Sequence, residues 1–157
     1  MKDFISFVSG IQQEYTLIDL KSARSIYKPR DPFSNKGTYG HALLLAGSYG
    51  KIGAALLAAK GCLRGGAGLL TAHLPSCGYN IMQTAVPEAM VLTDPLPHEI
   101  STLPEDLDPY RVIAAGPGIG TGKSAKGMVK KLLENYSHPL VLDADALNIL
   151  SMEKELL

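Results

Sequence analysis

The sequence predicts an α/β protein with three layers, a mainly parallel sheet between two layers of helices. Three observations carry that prediction. Short continuous apolar runs alternate with stretches of helical periodicity, the pattern of a parallel sheet with right-handed helical crossovers. Glycine-rich turns, Gly47-Ser-Tyr-Gly50-Lys-Ile-Gly53 and Gly116-Pro-Gly118-Ile-Gly120-Thr-Gly122, stand where apolar strands give way to helices. A last apolar strand, Leu140-Val-Leu-Asp143, comes shortly before Leu157, so the sheet is expected to be truncated.

The elements follow in order. Residues 1–28, with weak periodicity, read as a lead-in or interdomain linker, and residues 29–157 as the folded portion. His41-Ala-Leu-Leu-Leu-Ala46 is a continuous apolar run, as expected of a strand covered on both faces. Ile52, Ala55, Leu56, Ala59 and Leu63 share one face of a helix over 52–64. Leu69–Leu74 returns to strand, closed by Pro75, after the turn Gly65-Gly66-Ala67-Gly68. A short helix over 78–84 and a strand over 89–92 come next. Residues 93–110, with four prolines and five acidic side chains, read as a solvated loop. Arg111–Ala115 is a strand, and Ala125, Met128, Val129, Leu132, Leu133 and Tyr136 form the apolar stripe of a helix. A strand over 139–142 precedes a short helix from Ala146.

A chain of 157 residues is one domain by length, and its 46% hydrophobic content suits a globular core. Fifteen basic and fifteen acidic residues cancel, which argues against nucleic acid or an anionic membrane as partner. No apolar run approaches the ~20 residues of a spanning helix. The N-terminal Met1-Lys-Asp-Phe-Ile-Ser-Phe-Val8 lacks the apolar core of a signal peptide. Cys62 and Cys77 have neither metal nor redox spacing. A cytoplasmic location is expected.

In parallel sheets of this kind ligands bind beyond the carboxyl ends of the strands, and both turns that open helices lie at that edge. Gly116–Ser124 approximates a P-loop, but counting back from Gly122 puts Pro117 where the first glycine belongs, and proline lacks the N–H such a loop needs. A P-loop nucleoside triphosphatase is therefore the minor alternative. Gly47–Gly53 has the spacing G-x-x-G-x-x-G, which disfavours a dinucleotide fold of the dehydrogenase type. Gly53, Ala54 and Ala55 would let a flat ligand approach the helix start, with tight helix–sheet packing an equal alternative for the alanines. In Asp143-Ala-Asp145-Ala-Leu-Asn148, Asp143 is expected to face a ligand and Asp145 to cap the following helix. The four histidines are scattered, so no metal site can be assembled.

Taken in order, Lys36-Gly-Thr-Tyr-Gly40, Leu45-Ala-Gly-Ser48, Gly53-Ala-Ala55, Arg64-Gly-Gly-Ala-Gly-Leu69, Val86-Pro-Glu-Ala-Met90, Gly116-Pro-Gly118 and Leu140-Val-Leu-Asp-Ala-Asp-Ala-Leu-Asn148 resemble the ADP- or ATP-dependent NAD(P)H-hydrate dehydratases, repair enzymes with a ribokinase-like fold. The resemblance runs from about Lys28 to the end. It implies ADP or ATP as phosphoryl donor, with Mg2+, and the S-epimer of hydrated NADH or NADPH as substrate. The added hydroxyl would be phosphorylated, and phosphate would leave as the ring double bond re-forms. Carried over by residue, Gly53, Ala54 and Ala55 would line the dinucleotide, Gly116 and Gly118 would offer close backbone approach, and Asp143 and Asn148 would border the cleft. Lys36 and Tyr39 would order its entry. The family's catalytic aspartate lies beyond Leu157, so no catalytic residue falls within this chain. The resemblance also implies an epimerase domain N-terminal to the chain, and an incomplete sheet implies association, a homo-oligomer being expected. A small-molecule kinase of the ribokinase-like superfamily and a non-catalytic nucleotide-binding module are the rival readings.

Overall fold

A computed structural model describes residues 18–156. The N-terminal segment read above for the absence of a signal peptide, and most of the lead-in, lie outside the described residues. The chain divides into two compact units between Ser34 and Asn35. The first contains a helix, α1 (Leu20–Ile26), whose N-cap Asp19 accepts the Ser22 N–H. Sequence periodicity showed no such helix, because a seven-residue element with no buried residue leaves no apolar stripe.

The second unit is the α/β body. Its elements are β1 (His41–Leu45), α2 (Ile52–Gly65), β2 (Leu69–Pro75), α3 (Tyr79–Ala85), β3 (Met90–Asp94), β4 (Val112–Ala115), α4 (Lys123–Asn135), β5 (Leu140–Leu142) and α5 (Asp145–Met152). The five strands are parallel in the order β3-β2-β1-β4-β5. The chain thus builds outward from β1 to β3, then crosses to the other side of β1.

Alternation along the strands separates two apolar layers. Leu43, Leu45, Ile113 and Ala115 face Met128, Val129, Leu132 and Ile149 of α4 and α5. Ala42, Leu44, Ala46, Leu70, Ala72 and Leu74 pack with Ala55 and Ala59 of α2 and Met82 of α3. Alanines dominate the second layer, so α2 lies close on the sheet.

The connection 95–110 corrects one expectation. Its prolines and acidic residues suggested a solvated loop, yet Ile100 and Tyr110 are buried in the layer with α4 and α5. The reason is topological. This segment must cross from β3 to the far side of β1, and among the described residues of this unit no helix packs on β2 and β3 on that face. Its own side chains therefore complete the layer over Thr71 and His73, which are buried there.

Candidate functional site

The reversal of strand order places a crevice between the carboxyl ends of β1 and β4, where open α/β sheets bind ligands. The two glycine turns meet there and are bonded to one another. The Gly47 N–H donates to the Pro117 carbonyl (2.8 Å), the Gly116 N–H to Leu45 (3.2 Å), and Ser48 Oγ to the Gly118 carbonyl (2.7 Å).

Glycine is required in the second turn for two reasons. Gly116, Gly118 and Gly120 all have positive φ, at 136°, 72° and 78°. A Cβ on Gly116 would also stand 1.8 Å from the Asp143 carbonyl oxygen. The close approach at Gly116 is therefore to the backbone of the β5 loop. At Gly118 a Cβ would stand 3.1 Å from the Cβ of Ala54, which puts that turn against the start of α2. The turn also departs from a P-loop in its bonding. The N–H groups of Gly116, Ile119 and Gly120 donate to Leu45, Gly116 and Asp145, so these three are not available to a phosphate.

Asp145 corrects a second expectation. The N-cap of α5 is Ala144, with no side-chain capping bond. Asp145 Oδ2 instead accepts the Gly120 N–H (2.8 Å) and lies 3.6 Å from Lys51 Nζ, joining three loops. Ala144 itself is strained, with φ 48° and ψ −118°. That backbone turn sends Asp143 outward, exposed, and Asp145 inward to the glycine turn. Such strain is stored where the surroundings over-determine it, typically at functional sites.

Helices α2, α4 and α5 all start at this edge, and none has a side-chain cap. Carbonyls take the Ala54 and Ala146 N–H groups, and the positive dipole ends of the three helices face this edge. A cleft of about 400 Å³ opens beside the crevice, lined by Ser48, Tyr49, Leu96, Pro97, His98, Glu99, Ile119, Gly120 and Gly122. Tyr49 is 71% exposed, its ring set edge-on to His98 with centroids 4.8 Å apart. The Tyr49 N–H donates to the His98 carbonyl (2.8 Å), and Ser124 Oγ to Glu99 Oε1 (3.0 Å).

The structure gathers Gly53, Ala54, Gly116, Gly118, Asp143 and Asn148 at one sheet edge, all on the loops and first helical turns after β1, β4 and β5. Gly53 has open space beside it, and Asn148 Nδ2 lies 3.4 Å from Asp145 Oδ1. Ala55 is 0% exposed and lies beneath Gly47, so of the two readings left open for the alanines its methyl takes the packing one. Lys36 and Tyr39 are not brought to this edge. They form a 3-10 turn at the amino ends of β1 and β2, where the Gly68 N–H donates to the Tyr39 carbonyl and a Cβ on Gly68 would stand 1.7 Å from the Lys36 carbonyl oxygen. A strand of five residues, ~16 Å, separates them from the crevice. Tyr49, His98 and Glu99 escaped sequence reasoning. The aromatic pairing and the glutamate's contact join segments about fifty and twenty-five residues apart, which no local motif records.

The wall of the cleft is anchored by Asp94, buried at the end of β3 with His73. Burial pushes the Asp94 carboxyl upward, but N–H donors from Ser101, Leu96 and Thr102 outweigh it and hold the pKa at about 2. Burial pushes His73 below its ordinary value of 6.5, against the opposing pull of Asp94. Both shifts have the same consequence for stability. As pH falls below 6.5 the unfolded chain takes up the His73 proton before the folded one does. The Asp94 contribution is present above its ordinary 3.8 and is lost as pH falls towards about 2. The urea midpoint is expected to decline in two stages, one below pH 6.5 and one below 3.8. A midpoint that stays flat through both ranges would contradict these environments.

Among the described residues no group of three or more His, Cys, Asp or Glu side chains is placed to hold a metal ion. No helix among them is long and apolar enough to cross a membrane.

The family model described as NAD(P)H-hydrate dehydratase matches residues 42–157. The chain is 34% identical over 158 residues to the bifunctional NAD(P)H-hydrate repair enzyme Nnr of Escherichia coli, covering 98% of this chain and 29% of that protein. It is 32% identical over 140 residues to the ADP-dependent (S)-NAD(P)H-hydrate dehydratase of Staphylococcus aureus, covering 87% of this chain and 50% of that one. The crystal structure of the ADP/ATP-dependent NAD(P)H-hydrate dehydratase of Bacillus subtilis, co-crystallised with ATP and Mg2+, superposes with a TM-score of 0.69 at 36% identity, over 81% of this chain and 45% of that one. The chain spans about three-tenths of the bifunctional relatives and half or less of the dehydratases.

Proposed function

The chain belongs to the NAD(P)H-hydrate dehydratase family, and on that premise we propose that it forms the substrate-binding part of an enzyme that dehydrates the S-epimer of hydrated NADH or NADPH at the expense of ADP or ATP. The observation that carries this reading is the crevice between the ends of β1 and β4, where bonded glycine turns meet the uncapped starts of α2 and α4. A dinucleotide has the matching parts: a flat ring system for a surface without bulky side chains, and a pyrophosphate for exposed N–H groups. Gly53 and Ala54 with Gly118 form that surface, Ala55 supports it from below, and Gly116 sets the turn against the β5 loop. Asp143 and Asn148, both exposed at the rim, accept and donate to hydroxyl or amide groups of the ligand. The chain's part in catalysis is to orient the hydrated ring so that its hydroxyl meets the phosphoryl donor, a contribution of proximity. Phosphoryl donor, Mg2+ and general base belong to the part of the family fold that these residues do not supply. The same reading places the protein in the cytoplasm, associated with a second copy and adjoining an epimerase unit.

An equilibrium titration tests the proposal. Hydrated NADH is expected to bind saturably, at least about tenfold more tightly than ATP binds. Lys123 is exposed at the first position of α4. Lys123→Ala should therefore alter either affinity by less than about twofold, since an exposed, solvated ammonium contributes little. Tight ATP binding that Lys123→Ala abolishes would instead establish the P-loop reading and overturn this one.

A further inference from the structure

Asp94 does not itself line the cleft, yet the wall of the cleft is tied to it. Its side chain is buried, with 2% of the residue exposed, and its two oxygens accept five hydrogen bonds from the segment that follows. Oδ1 accepts from the Leu96 N–H (2.9 Å) and Ser101 Oγ (2.8 Å). Oδ2 accepts from the Ser101 N–H (2.8 Å), the Thr102 N–H (2.9 Å) and Thr102 Oγ1 (3.0 Å), with His73 Nε2 at 3.4 Å. The bonds close residues 96–102 into a ring around one carboxylate. The outer side of that ring, Leu96 to Glu99, is the cleft wall. It meets the other loops through the Tyr49 N–H to the His98 carbonyl, the Cys77 N–H to the Pro97 carbonyl (3.2 Å) and Ser124 Oγ to Glu99.

An ionised carboxylate only accepts, so none of the five donors converging on its two oxygens meets a competing donor. An amide of the same shape has one acceptor oxygen and one NH2 group, so some of these donors would face another donor. Solvent cannot take their place, because the carboxylate is enclosed. The position of His98 against Tyr49 is therefore conditional on the charge and shape of a side chain that never reaches the ligand.

We infer that Asp94 is a positioning residue: by gathering residues 96–102 it holds the His98 and Glu99 wall against Tyr49 and so sets the shape of the ligand cleft. The inference rests on the reading of that cleft as part of the dinucleotide site. Asp94→Asn in the full chain tests it by NMR. Cooperative unfolding should survive, the amides of Leu96, Ser101 and Thr102 should exchange at least about tenfold faster, and the nuclear Overhauser contact between the Tyr49 and His98 rings should disappear. Affinity for hydrated NADH should fall about tenfold. Tyr136→Phe separates positioning from mere stability. It removes a buried hydrogen bond to the Tyr110 carbonyl (2.7 Å), at the far end of the connection that carries the wall, and should lower stability while leaving the ring contact and the affinity unchanged. Should Asp94→Asn fail to fold, Thr102→Val, which removes one bond to Oδ2, takes its place with the same readouts. A folded variant that keeps the Tyr49–His98 contact overturns the inference. If the wild-type chain does not bind hydrated NADH, the dinucleotide reading falls, while amide exchange and the ring contact still decide the role of Asp94.

Discussion

Gly116→Ala is expected to destabilise the chain by roughly 3–5 kcal/mol, among the larger effects a single methyl group can have. Two penalties combine at this position. The backbone has φ 136°, a region that residues with a Cβ rarely enter. The added carbon would also lie 1.8 Å from the Asp143 carbonyl oxygen and 3.0 Å from the Ala146 Cβ. Neither neighbour is the free end of a flexible side chain, so relief requires moving the β5–α5 loop and with it the strained Ala144. Gly50→Ala is the control. It has φ 79° with nothing within 4 Å of the added carbon, so it carries the conformational cost alone, about 1 kcal/mol. Urea unfolding of both variants reads the difference. Equal losses would show that the two loops move apart freely and that the crevice is not set by this contact.

Leu43→Ala should cost about 2–5 kcal/mol, the range for removing most of a large aliphatic side chain from a close-packed core. Leu43 lies in β1, the central strand, paired with Thr71 on one side and Ile113 on the other, and is 0% exposed. Its layer joins the sheet to α4, α5 and the crossing connection through Ile100, so a cavity there weakens all three attachments. Leu57, on α2 at 76% exposure, is the matched control, and Leu57→Ala should change stability by no more than about 0.5 kcal/mol. Thermal or urea unfolding measures both. A small loss at Leu43 would mean that the layer collapses around the cavity.

How legible the protein was differs between fold and site. The strands β1, β2, β4 and β5 and the helices α2 and α4 could be read because continuous apolar runs and helical stripes are local consequences of burial. The third strand was placed over 89–92 but runs Met90–Asp94. It is an edge strand with several exposed residues, including Met90 and Leu92, so its burial signal is weak and its polar end reads as loop. Helix α1 buries nothing and left no stripe. Within the site the glycines were legible because their type records a conformational demand. What that demand served was not. Gly116 avoids a neighbouring loop's carbonyl oxygen, and Gly118 avoids Lys51 and Ala54, contacts made by residues distant in sequence.

The sequence by itself determined the layered α/β architecture, the edge of the sheet at which the glycine turns gather, and the family, because periodicity, turn chemistry and an ordered set of motifs are properties of the chain read locally. Tertiary structure alone decided the rest. It assigned Asp145 to the glycine turn rather than to a helix cap, and it placed Lys36 and Tyr39 at the opposite end of the strands. It buried Ile100 and Tyr110 of a connection that looked solvated and folded that connection around Asp94 to make the wall of a cleft. The physical reason is common to all of these. Hydrogen bonds and packing join groups by distance in space, and strand order, set by which faces must be covered, decides which distant segments become neighbours.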